Sequence, residues 1–247
     1  KRGAKVTVLE ALPRLMARGL PPLVGDYARQ LHERHGVRFE LEARIKSIAR
    51  SPSGGALVTT SRADYAGDMM VAGIGAAPNT SLAEAAGLAV ADGISVDAQG
   101  RTGDPDIFAA GDVTRHLNPL LGLAIRVESW QVALNQAAAV ARAMAGGGDA
   151  YAELPWLWTD QYDCNIQLLG VVDPAMAVVT RGDPAAPAFT LIGLDGDGRI
   201  AAAITVNSGR DMAVLRRLAT LRARVPRDAL ADPRVKLADL LKAARGA

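Results

Sequence analysis

Apolar positions in the first half of the chain recur mostly in short runs separated by turn residues. Residues 5–10 are apolar and β-branched and end in Glu10, a pattern typical of a buried parallel strand. Residues 24–35 place apolar side chains on one helical face, and Gly36 can end that helix. A short helix is expected at residues 80–86. Further strands are predicted at residues 37–41, 45–49, 56–60, 69–74, 94–97 and 107–110.

The pattern changes after a long Ala-rich helix, which is predicted at residues 129–145. A glycine run at residues 146–148 follows it and is the best domain boundary in the chain. Beyond it, strand-like runs with turns between them precede two amphipathic helices at residues 211–225 and 237–244. Strands followed by helices predict a small α+β domain with an antiparallel sheet. Its expected strands are residues 166–170, 177–180, 189–194 and 200–206.

Composition excludes several classes of protein. The 247 residues are 49% hydrophobic, and the formal net charge of +2 argues against a general nucleic-acid binder. A single cysteine, Cys164, rules out an internal disulfide and favours a reducing, cytoplasmic compartment. No apolar run approaches the roughly 20 residues that a membrane helix needs, and no metal-ligand spacing is visible. The chain enters a strand almost at once from Lys1, so we expect it to be a piece of a longer protein.

Residues 102–112, Thr-Gly-Asp-Pro-Asp-Ile-Phe-Ala-Ala-Gly-Asp, are the most specific segment of the sequence. The strand predicted at residues 107–110 would deliver Gly111 and Asp112 to the carboxyl end of a sheet, where ligands bind in open α/β folds. Glycine lets a ligand approach the backbone, and a carboxylate can accept hydrogen bonds from sugar-like hydroxyls. A Gly-Asp pair alone is a common turn after a strand, but the eleven-residue pattern favours a ligand site.

This segment resembles the second FAD-binding motif of flavoproteins with two dinucleotide-binding domains, in which the aspartate, here Asp112, binds a ribityl hydroxyl of FAD. Residues 126–136 and 155–162 resemble the ferredoxin-reductase branch, the putidaredoxin-reductase-like enzymes of the pyridine nucleotide-disulfide oxidoreductase superfamily. The resemblance covers essentially the whole chain and implies an α/β fold with partial FAD/NAD-binding Rossmann-like domains. The implied parts are the remainder of an NAD-binding domain, the C-terminal part of an FAD-binding domain, and a C-terminal reductase (interface) domain of α+β type, at residues 1–77, 78–150 and 151–247.

The helix predicted at residues 129–145 supplies a second flavin-binding element. Its first turn exposes free N–H groups and the positive end of the helix dipole, which would stabilise the negative charge of a reduced flavin. Ser129 or Glu128 is expected to cap this helix. The resemblance implies that the Trp130 backbone donates to the flavin. An ordinary capped helix that packs on a sheet is the alternative.

Two tryptophans that lie two positions apart form a third element. Alternation places Trp156 and Trp158 on one side of an extended strand. A flat aromatic side chain can cover an isoalloxazine ring and shield its reactive face from water, and we expect Trp158 to lie beside the flavin. A hydrophobic anchor between the second and third domains is the alternative, and both roles are compatible.

A remnant of a nicotinamide site is predicted near the start of the chain. An acid at the end of the second Rossmann strand accepts from the ribose 2′-hydroxyl and repels a 2′-phosphate. Glu10 therefore favours NADH over NADPH, whereas Arg14 and Arg18 could each meet a 2′-phosphate. A solvent-exposed acid at the end of a strand is the alternative role of Glu10.

The segment Gly73, Ile74 and Gly75 resembles the family's return from the NAD domain to the FAD domain, where the glycines would let nicotinamide approach. The chain contains no G-x-G-x-x-G fingerprint, of which the family has two. Because the phosphate-cradling backbone of both sites is missing, we expect this chain alone to bind FAD weakly or not at all.

The resemblance implies an FAD-dependent oxidoreductase that passes electrons from NADH, through the flavin, to a [2Fe–2S] ferredoxin of an oxygenase or cytochrome P450 system. Disulfide reductases of the same superfamily use a C-terminal histidine as acid–base, and here no histidine follows His116. No protein acid or base is assigned, because the cofactor carries this chemistry. The alternatives are a flavin reductase for another acceptor, such as a quinone or a nitrite-reductase-type partner, and a non-catalytic flavoprotein-like interaction module.

Charge in the C-terminal region bears on the protein partner. Six arginines crowd residues 210–227 and form either a solvated helix face or a docking patch for an acidic ferredoxin. They are Arg210, Arg216, Arg217, Arg222, Arg224 and Arg227. No nucleic-acid or membrane partner is expected, and a homodimer is compatible with the sequence.

Overall fold

The computed structural model describes residues 3–17, 19–52 and 54–246. It divides into two compact units, Lys1–Ala76 and Ala77–Ala247. Both units combine helices with sheets, which confirms the α/β fold class. The glycine run at residues 146–148 lies inside the second unit, so the domain boundary there stays a prediction. Within the described ranges, no helix combines the length and the apolarity that a membrane crossing requires.

The first unit begins with a β-α-β arrangement. Strand β1 (Thr7–Leu9) pairs in parallel with β2 (Arg38–Glu40), and helix α1 (Pro22–Arg34) connects them. Proline at the start of α1 is well placed, because the first N–H groups of a helix have no partner within it. The helix buries Val24 and Leu31, which lie on the face that the sequence pattern predicts. Three antiparallel strands follow: β3 (Ile45–Arg50), β4 (Ala56–Thr60) and β5 (Asp64–Gly67).

The strand predicted at residues 69–74 is wrong, because the chain is irregular there. Met69, Val71 and Ile74 are each 82% exposed, and no described strand pairs with this run. A strand needs neighbouring backbone groups for hydrogen bonding as well as apolar side chains. This run has the composition of a buried strand but meets no sheet edge within the described residues.

The second unit opens with helix α2 (Ser81–Ala85), a three-stranded sheet and helix α3 (Trp130–Met144). The strands are β6 (Ile94–Val96), β7 (Thr114–Asn118) and β8 (Leu123–Arg126). Strand β7 is central, parallel to β6 and antiparallel to β8. The sequence pattern misses the β7–β8 hairpin because β7 buries Thr114, His116 and Asn118 instead of aliphatic residues.

The strand predicted at residues 107–110 is also wrong. Phe108 forms only an isolated bridge, with Arg101, and Ile107 is exposed. The Ile107 carbonyl accepts hydrogen bonds from the backbone N–H and the hydroxyl of Thr102, at 3.1 and 2.9 Å. This local turn uses the acceptor that a neighbouring strand would need, so a loop, and not a strand, leads to Gly111.

An antiparallel sheet of five strands forms the C-terminal part of the second unit, as the order of strands and helices predicts. The strands are β9 (Trp156–Gln161), β10 (Cys164–Gly170), β11 (Ala177–Gly182), β12 (Phe189–Leu194) and β13 (Ile200–Val206), in the spatial order β11-β12-β13-β10-β9. Helices α4 (Gly209–Thr220), α5 (Arg227–Ala231) and α6 (Leu237–Gly246) follow, and the sequence pattern misses the short α5. The aliphatic core of this part includes Leu169, Ile192, Leu215, Leu218 and Leu230.

One charged side chain is buried beside this core. Arg181, on β11, is 8% exposed, and its Nε donates to Asp211 Oδ2 at 3.1 Å. Its Nη1 donates to the Asp232 carbonyl at 2.6 Å, and its Nη2 donates to the Val235 carbonyl at 2.9 Å. The guanidinium thereby satisfies carbonyls between α5 and α6 and ties that segment to the sheet.

Candidate functional site

The loop at Gly111 is fixed against helix α3. Gly111 has a φ of +83°, in the left-handed region that favours glycine, and its N–H donates to Gln136 Oε1 at 2.8 Å. Gln136 lies on α3 and is 1% exposed. The Thr114 hydroxyl lies 2.8 Å from the Gly111 carbonyl and 3.1 Å from Gln136 Oε1. These contacts set the position from which the next residue, Asp112, projects.

Asp112 is exposed at the end of this loop. Across the described part of the chain, no hydrogen bond or ion pair engages its carboxylate. Both carboxylate oxygens can therefore accept hydrogen bonds from hydroxyl groups. The loop supplies the geometry that the sequence assigns to a strand end, although the strand itself is absent.

The N-terminus of α3 is not capped by the expected side chains. Ser129 has the extended backbone of an N-cap residue, but its hydroxyl donates to the Trp156 carbonyl at 2.9 Å instead of accepting from the helix. Glu128 Oε1 accepts from Arg126 Nη1 at 2.5 Å, and Arg126 Nε donates to Asp92 at 3.0 Å. The hydrogen bond to Glu128 is the main cause of a raised Arg126 pKa. The predicted cap is wrong, and neither side chain satisfies the N–H groups of the first turn.

The three tryptophans form one aromatic stack, which comprises Trp130, Trp158 and Trp156. The rings of Trp156 and Trp158 stack at 4.7 Å with 29° between their planes, which confirms that both lie on one side of β9. Trp130 meets Trp158 edge-on at 6.3 Å. Trp130 is 68% and Trp158 42% exposed, so both retain accessible surface. Arg216 lies over the Trp156 ring, with its Cζ 4.6 Å from the ring centroid.

The C-terminal arginines have contacts in several different places. Arg222 Nη1 donates to the Leu120 carbonyl at 3.0 Å, and Arg224 Nη2 lies 3.8 Å from Asp197 Oδ1. Arg216, by contrast, contacts the aromatic stack at Trp156. These arginines therefore act through separate contacts, and Arg216 is the one that the structure places beside predicted site residues.

Glu10 follows β1 in the first unit and uses one carboxylate oxygen locally, because Oε1 accepts the Leu12 N–H at 2.8 Å. Arg14 is also engaged: Nη1 donates to the Leu20 carbonyl at 2.7 Å and Nη2 to the Ala17 carbonyl at 3.1 Å. The second candidate for a 2′-phosphate, Arg18, lies outside the described residues. Arg14 therefore holds the loop after β1 in shape.

The predicted nicotinamide-facing segment lies in irregular backbone at the end of the first unit. The space that a Cβ on Gly73 would enter is open, so that glycine is not required by crowding from described residues. Ile74 is 82% exposed, and Gly75 has a φ of +93°, which favours glycine. The role of the segment in binding nicotinamide stays a prediction.

A buried histidine on β7 is missed by sequence reasoning. His116 is 1% exposed, and within the described residues neither ring nitrogen has a hydrogen-bond partner. Its ring meets that of Tyr151 edge-on at 5.5 Å. Burial lowers the pKa of His116, and burial followed by the charge of Glu153 raises the pKa of Tyr151. The available signal was the alternation of residues 114, 116 and 118, whose side chains are polar.

No cluster of His, Cys, Asp and Glu in the part of the chain that the structure describes is arranged to hold a metal ion.

Two family models match the chain. Residues 1–137 match the pyridine nucleotide-disulphide oxidoreductase model, and residues 156–241 match the reductase C-terminal model. The chain belongs to the pyridine nucleotide-disulphide oxidoreductase family.

Curated relatives that match the chain include ferredoxin and putidaredoxin reductases. The ferredoxin–NAD(+) reductase component of the anthranilate 1,2-dioxygenase system of Burkholderia cepacia is 52% identical, over 97% of this chain and 59% of that protein. Putidaredoxin reductase of Pseudomonas putida is 31% identical, over 99% of this chain and 58% of that protein. The chain thus spans less than two thirds of the length of either relative.

Solved structures of the same branch share the fold. The ferredoxin reductase for the CYP199A2 system of Rhodopseudomonas palustris has a TM-score of 0.90 at 33% identity, covering 97% of this chain and 59% of its own. Putidaredoxin reductase in a covalent complex with putidaredoxin has a TM-score of 0.92 at 30% identity, covering 98% and 59%. The resemblance to the putidaredoxin-reductase-like branch and its Rossmann-like architecture is confirmed.

Proposed function

We propose that this chain is part of an FAD-dependent oxidoreductase that passes electrons from NADH, through the flavin, to a [2Fe–2S] ferredoxin of an oxygenase or cytochrome P450 system. One arrangement carries the proposal. Helix α3 holds the Gly111 loop through Gln136 and presents Trp130 to Trp158 at its N-terminus. The names of the relatives, which serve dioxygenase and cytochrome P450 systems, support the same function.

The described residues fit the flavin end of an FAD molecule. Asp112 offers an exposed carboxylate without a partner in the described residues, as a ribityl hydroxyl requires. The first turn of α3, left uncapped by Ser129 and Glu128, offers N–H groups and a positive dipole end. Trp158 offers an accessible aromatic face. We assign Gly111, Asp112, Glu128, Ser129, Trp130 and Trp158 to this site.

Bound FAD would supply the redox chemistry, accepting a hydride from NADH and releasing electrons one at a time. Asp112 would orient the ribityl chain, and the N–H groups at the start of α3 would stabilise negative charge on the ring. Trp158 would exclude water from one side of the ring. No side chain of this chain is assigned to proton transfer at the reacting atoms.

The preference for NADH rests on Glu10 and Arg14. Glu10 lies at the end of β1 with one carboxylate oxygen bound to the Leu12 N–H, which leaves Oε2 to accept from a ribose hydroxyl. The Arg14 guanidinium donates to the Leu20 and Ala17 carbonyls. Because these bonds engage it locally, it is not positioned to bind a 2′-phosphate. Gly73, Ile74 and Gly75 would contact the nicotinamide end.

Substitution of Asp112 tests the flavin site directly in the gene product that carries this sequence. Asp112→Ala removes a charged acceptor, so FAD binding should weaken about tenfold or more, the equivalent of one lost hydrogen bond to a charged group. The matched control is Asp106→Ala, an exposed aspartate in the same motif whose own N–H, and not its carboxylate, makes the local turn. The readout is flavin absorbance that survives gel filtration.

Acceptor specificity is tested with the same preparations. NADH oxidation should be fast with a [2Fe–2S] ferredoxin and should scale with flavin content in both variants. Equal FAD retention by Asp112→Ala and Asp106→Ala would refute the assignment of Asp112. Turnover without flavin, or reduction of quinones with none of ferredoxin, would replace the proposed function with one of the alternatives.

A further inference from the structure

Trp156 is anchored through its backbone as well as its ring. Its N–H donates to Gln131 Oε1 at 3.1 Å, and its carbonyl accepts from the Ser129 hydroxyl at 2.9 Å. Two side chains at the start of α3 thus satisfy both main-chain groups of one residue in β9, as a neighbouring strand would do. Ser129 is 7% and Gln131 4% exposed, so water competes little for these bonds.

The amide nitrogen of Gln131 is also engaged, as its amide oxygen is. Its Nε2 donates to Glu153 Oε2, and Asn135 Nδ2, one helical turn further along α3, donates to the same oxygen at 2.8 Å. The Glu153 backbone is fixed as well, because its carbonyl accepts from Asn118 Nδ2 at 2.7 Å. We call Ser129, Gln131 and Glu153 the α3 clamp.

The position of Trp158 depends on Trp156 and Trp130. It stacks on Trp156 and meets Trp130 edge-on. Trp130 lies in the chain between the two clamp residues of α3, Ser129 and Gln131. The clamp therefore controls both ring neighbours of Trp158, one through the β9 backbone and one through the helix.

We propose that Gln131 is a positioning residue, which fixes Trp158 relative to the first turn of α3 by way of Trp156 and the α3 clamp. Its amide joins the helix to both the Glu153 carboxylate and the β9 backbone. Given the proposed function, which the consequence for flavin rests on, the same residue sets how Trp158 lies beside the ring that the helix N-terminus binds.

Gln131→Met tests this role, because methionine keeps the length of the side chain and removes both hydrogen bonds. Two indoles stacked at 4.7 Å give a coupled signal in far-ultraviolet circular dichroism, and Trp158→Phe defines its complete loss. Gln131→Met in the gene product should lose most of this signal while thermal unfolding stays cooperative. The control is Gln99→Met, which makes the same change at a side chain that makes none of the clamp's hydrogen bonds and should keep the signal.

A second readout concerns bound flavin. Tryptophan in contact with flavin quenches its fluorescence, so Gln131→Met should raise the fluorescence of bound flavin above that of the Gln99→Met control. If the gene product binds no flavin, the proposed function fails, but the coupled tryptophan signal still decides the role of Gln131. An unchanged tryptophan signal in folded Gln131→Met would overturn the positioning role.

Milder variants decide the matter if Gln131→Met does not fold. Ser129→Ala removes only the bond to the Trp156 carbonyl, and Glu153→Ala removes the carboxylate that holds the Gln131 amide. Each should lose part of the coupled signal. Full retention of the signal in both variants would overturn the proposal.

Discussion

The two sheets of the second unit differ in the side chains that they mostly bury. In the five-stranded sheet, β12 and β13 bury Ile192 and Ile204 at 0% and 2% exposure, and the core is aliphatic. In the three-stranded sheet, β7 buries Thr114, His116 and Asn118 at 0% to 1% exposure. Aliphatic burial stabilises in proportion to the area removed from water, whereas a buried polar group stabilises only when it finds a partner. Burial therefore stabilises the five-stranded sheet directly, whereas in the three-stranded sheet its effect depends on the hydrogen-bond partners of the buried side chains.

The polar face of β7 holds parts of the candidate flavin site. Thr114 contacts the Gly111 carbonyl, and Asn118 donates to the Glu153 carbonyl at 2.7 Å. The Asn118 amide oxygen also accepts from the Leu120 N–H at 3.0 Å. Trp158 lies on β9 of the five-stranded sheet. In the three-stranded sheet, the buried side chains of Thr114 and Asn118 instead contact the backbone at Gly111 and Glu153.

The largest stability effect is expected at the one charge inside the aliphatic sheet. Arg181→Met leaves Asp211 without its partner and removes the donor from the Asp232 and Val235 carbonyls, which should destabilise the second unit by about 3 to 5 kcal/mol. All three tryptophans lie in this unit, so urea unfolding followed by tryptophan fluorescence measures it.

Arg227→Met is the matched control for Arg181→Met, because Arg227 is an exposed arginine at the start of α5. It should change the free energy of unfolding by no more than about 0.5 kcal/mol. Equal unfolding midpoints for the two variants would show that the buried guanidinium contributes nothing beyond surface charge.

A smaller loss is expected from a cavity in the same sheet. Ile192→Ala removes a fully buried side chain and should cost about 3 kcal/mol, from lost apolar burial and the cavity that remains. Val178→Ala, on the neighbouring strand β11 at 48% exposure, is the control and should cost less than about 1 kcal/mol. The same tryptophan-detected urea unfolding measures both, and similar losses would mean that β12 is not the centre of this core.

Most of the aliphatic sheet was predictable from sequence, whereas only β6 of the polar sheet was. Strands β12 and β13 lie at their predicted bounds because each is a mostly apolar run next to a turn of Gly and Asp residues. Strand β7 alternates between buried and less buried positions, but its buried side chains are polar, so hydrophobic periodicity does not detect it. Residues 69–74 show the reverse error, since their apolar run lies exposed.

The assignment of residues to the candidate site stays a prediction, and the sequence indicated only part of their arrangement. The Gly111–Asp112 pair and the shared face of Trp156 and Trp158 follow from motif and alternation. The helix cap does not, because Ser129 bonds to the Trp156 carbonyl, 27 positions away, and local spacing favours the nearer helix. The contact of Arg216 with Trp156 likewise joins segments that are distant in the chain.

The smallest change in stability at neutral pH is expected from substituting His116, on β7. Neither of its ring nitrogens has a hydrogen-bond partner in the described residues. Burial lowers its pKa below the usual value of about 6.5, so the folded protein favours neutral histidine. The unfolded chain then binds more protons between the lowered and the usual pKa. The stability of the second unit is therefore full above about pH 6.5 and falls as the pH drops through this window.

His116→Leu should remove this loss of stability at low pH. At neutral pH, the free energy of unfolding should lie within about 1 kcal/mol of the parent value or above it, because an apolar group replaces an unsatisfied polar one. Tyr151, the ring neighbour, keeps its proton throughout, since its pKa is raised. Tryptophan-detected urea unfolding at pH values on both sides of the window measures the difference. His35→Leu, at the end of α1 in the first unit, is the control, because the tryptophan signal reports the second unit. His116→Leu could also keep the parent's loss of stability at low pH. That result would show that the carboxylates of the unit, and not its buried histidine, cause the loss. The buried polar side chains of β7 would then be better satisfied than their hydrogen bonds indicate.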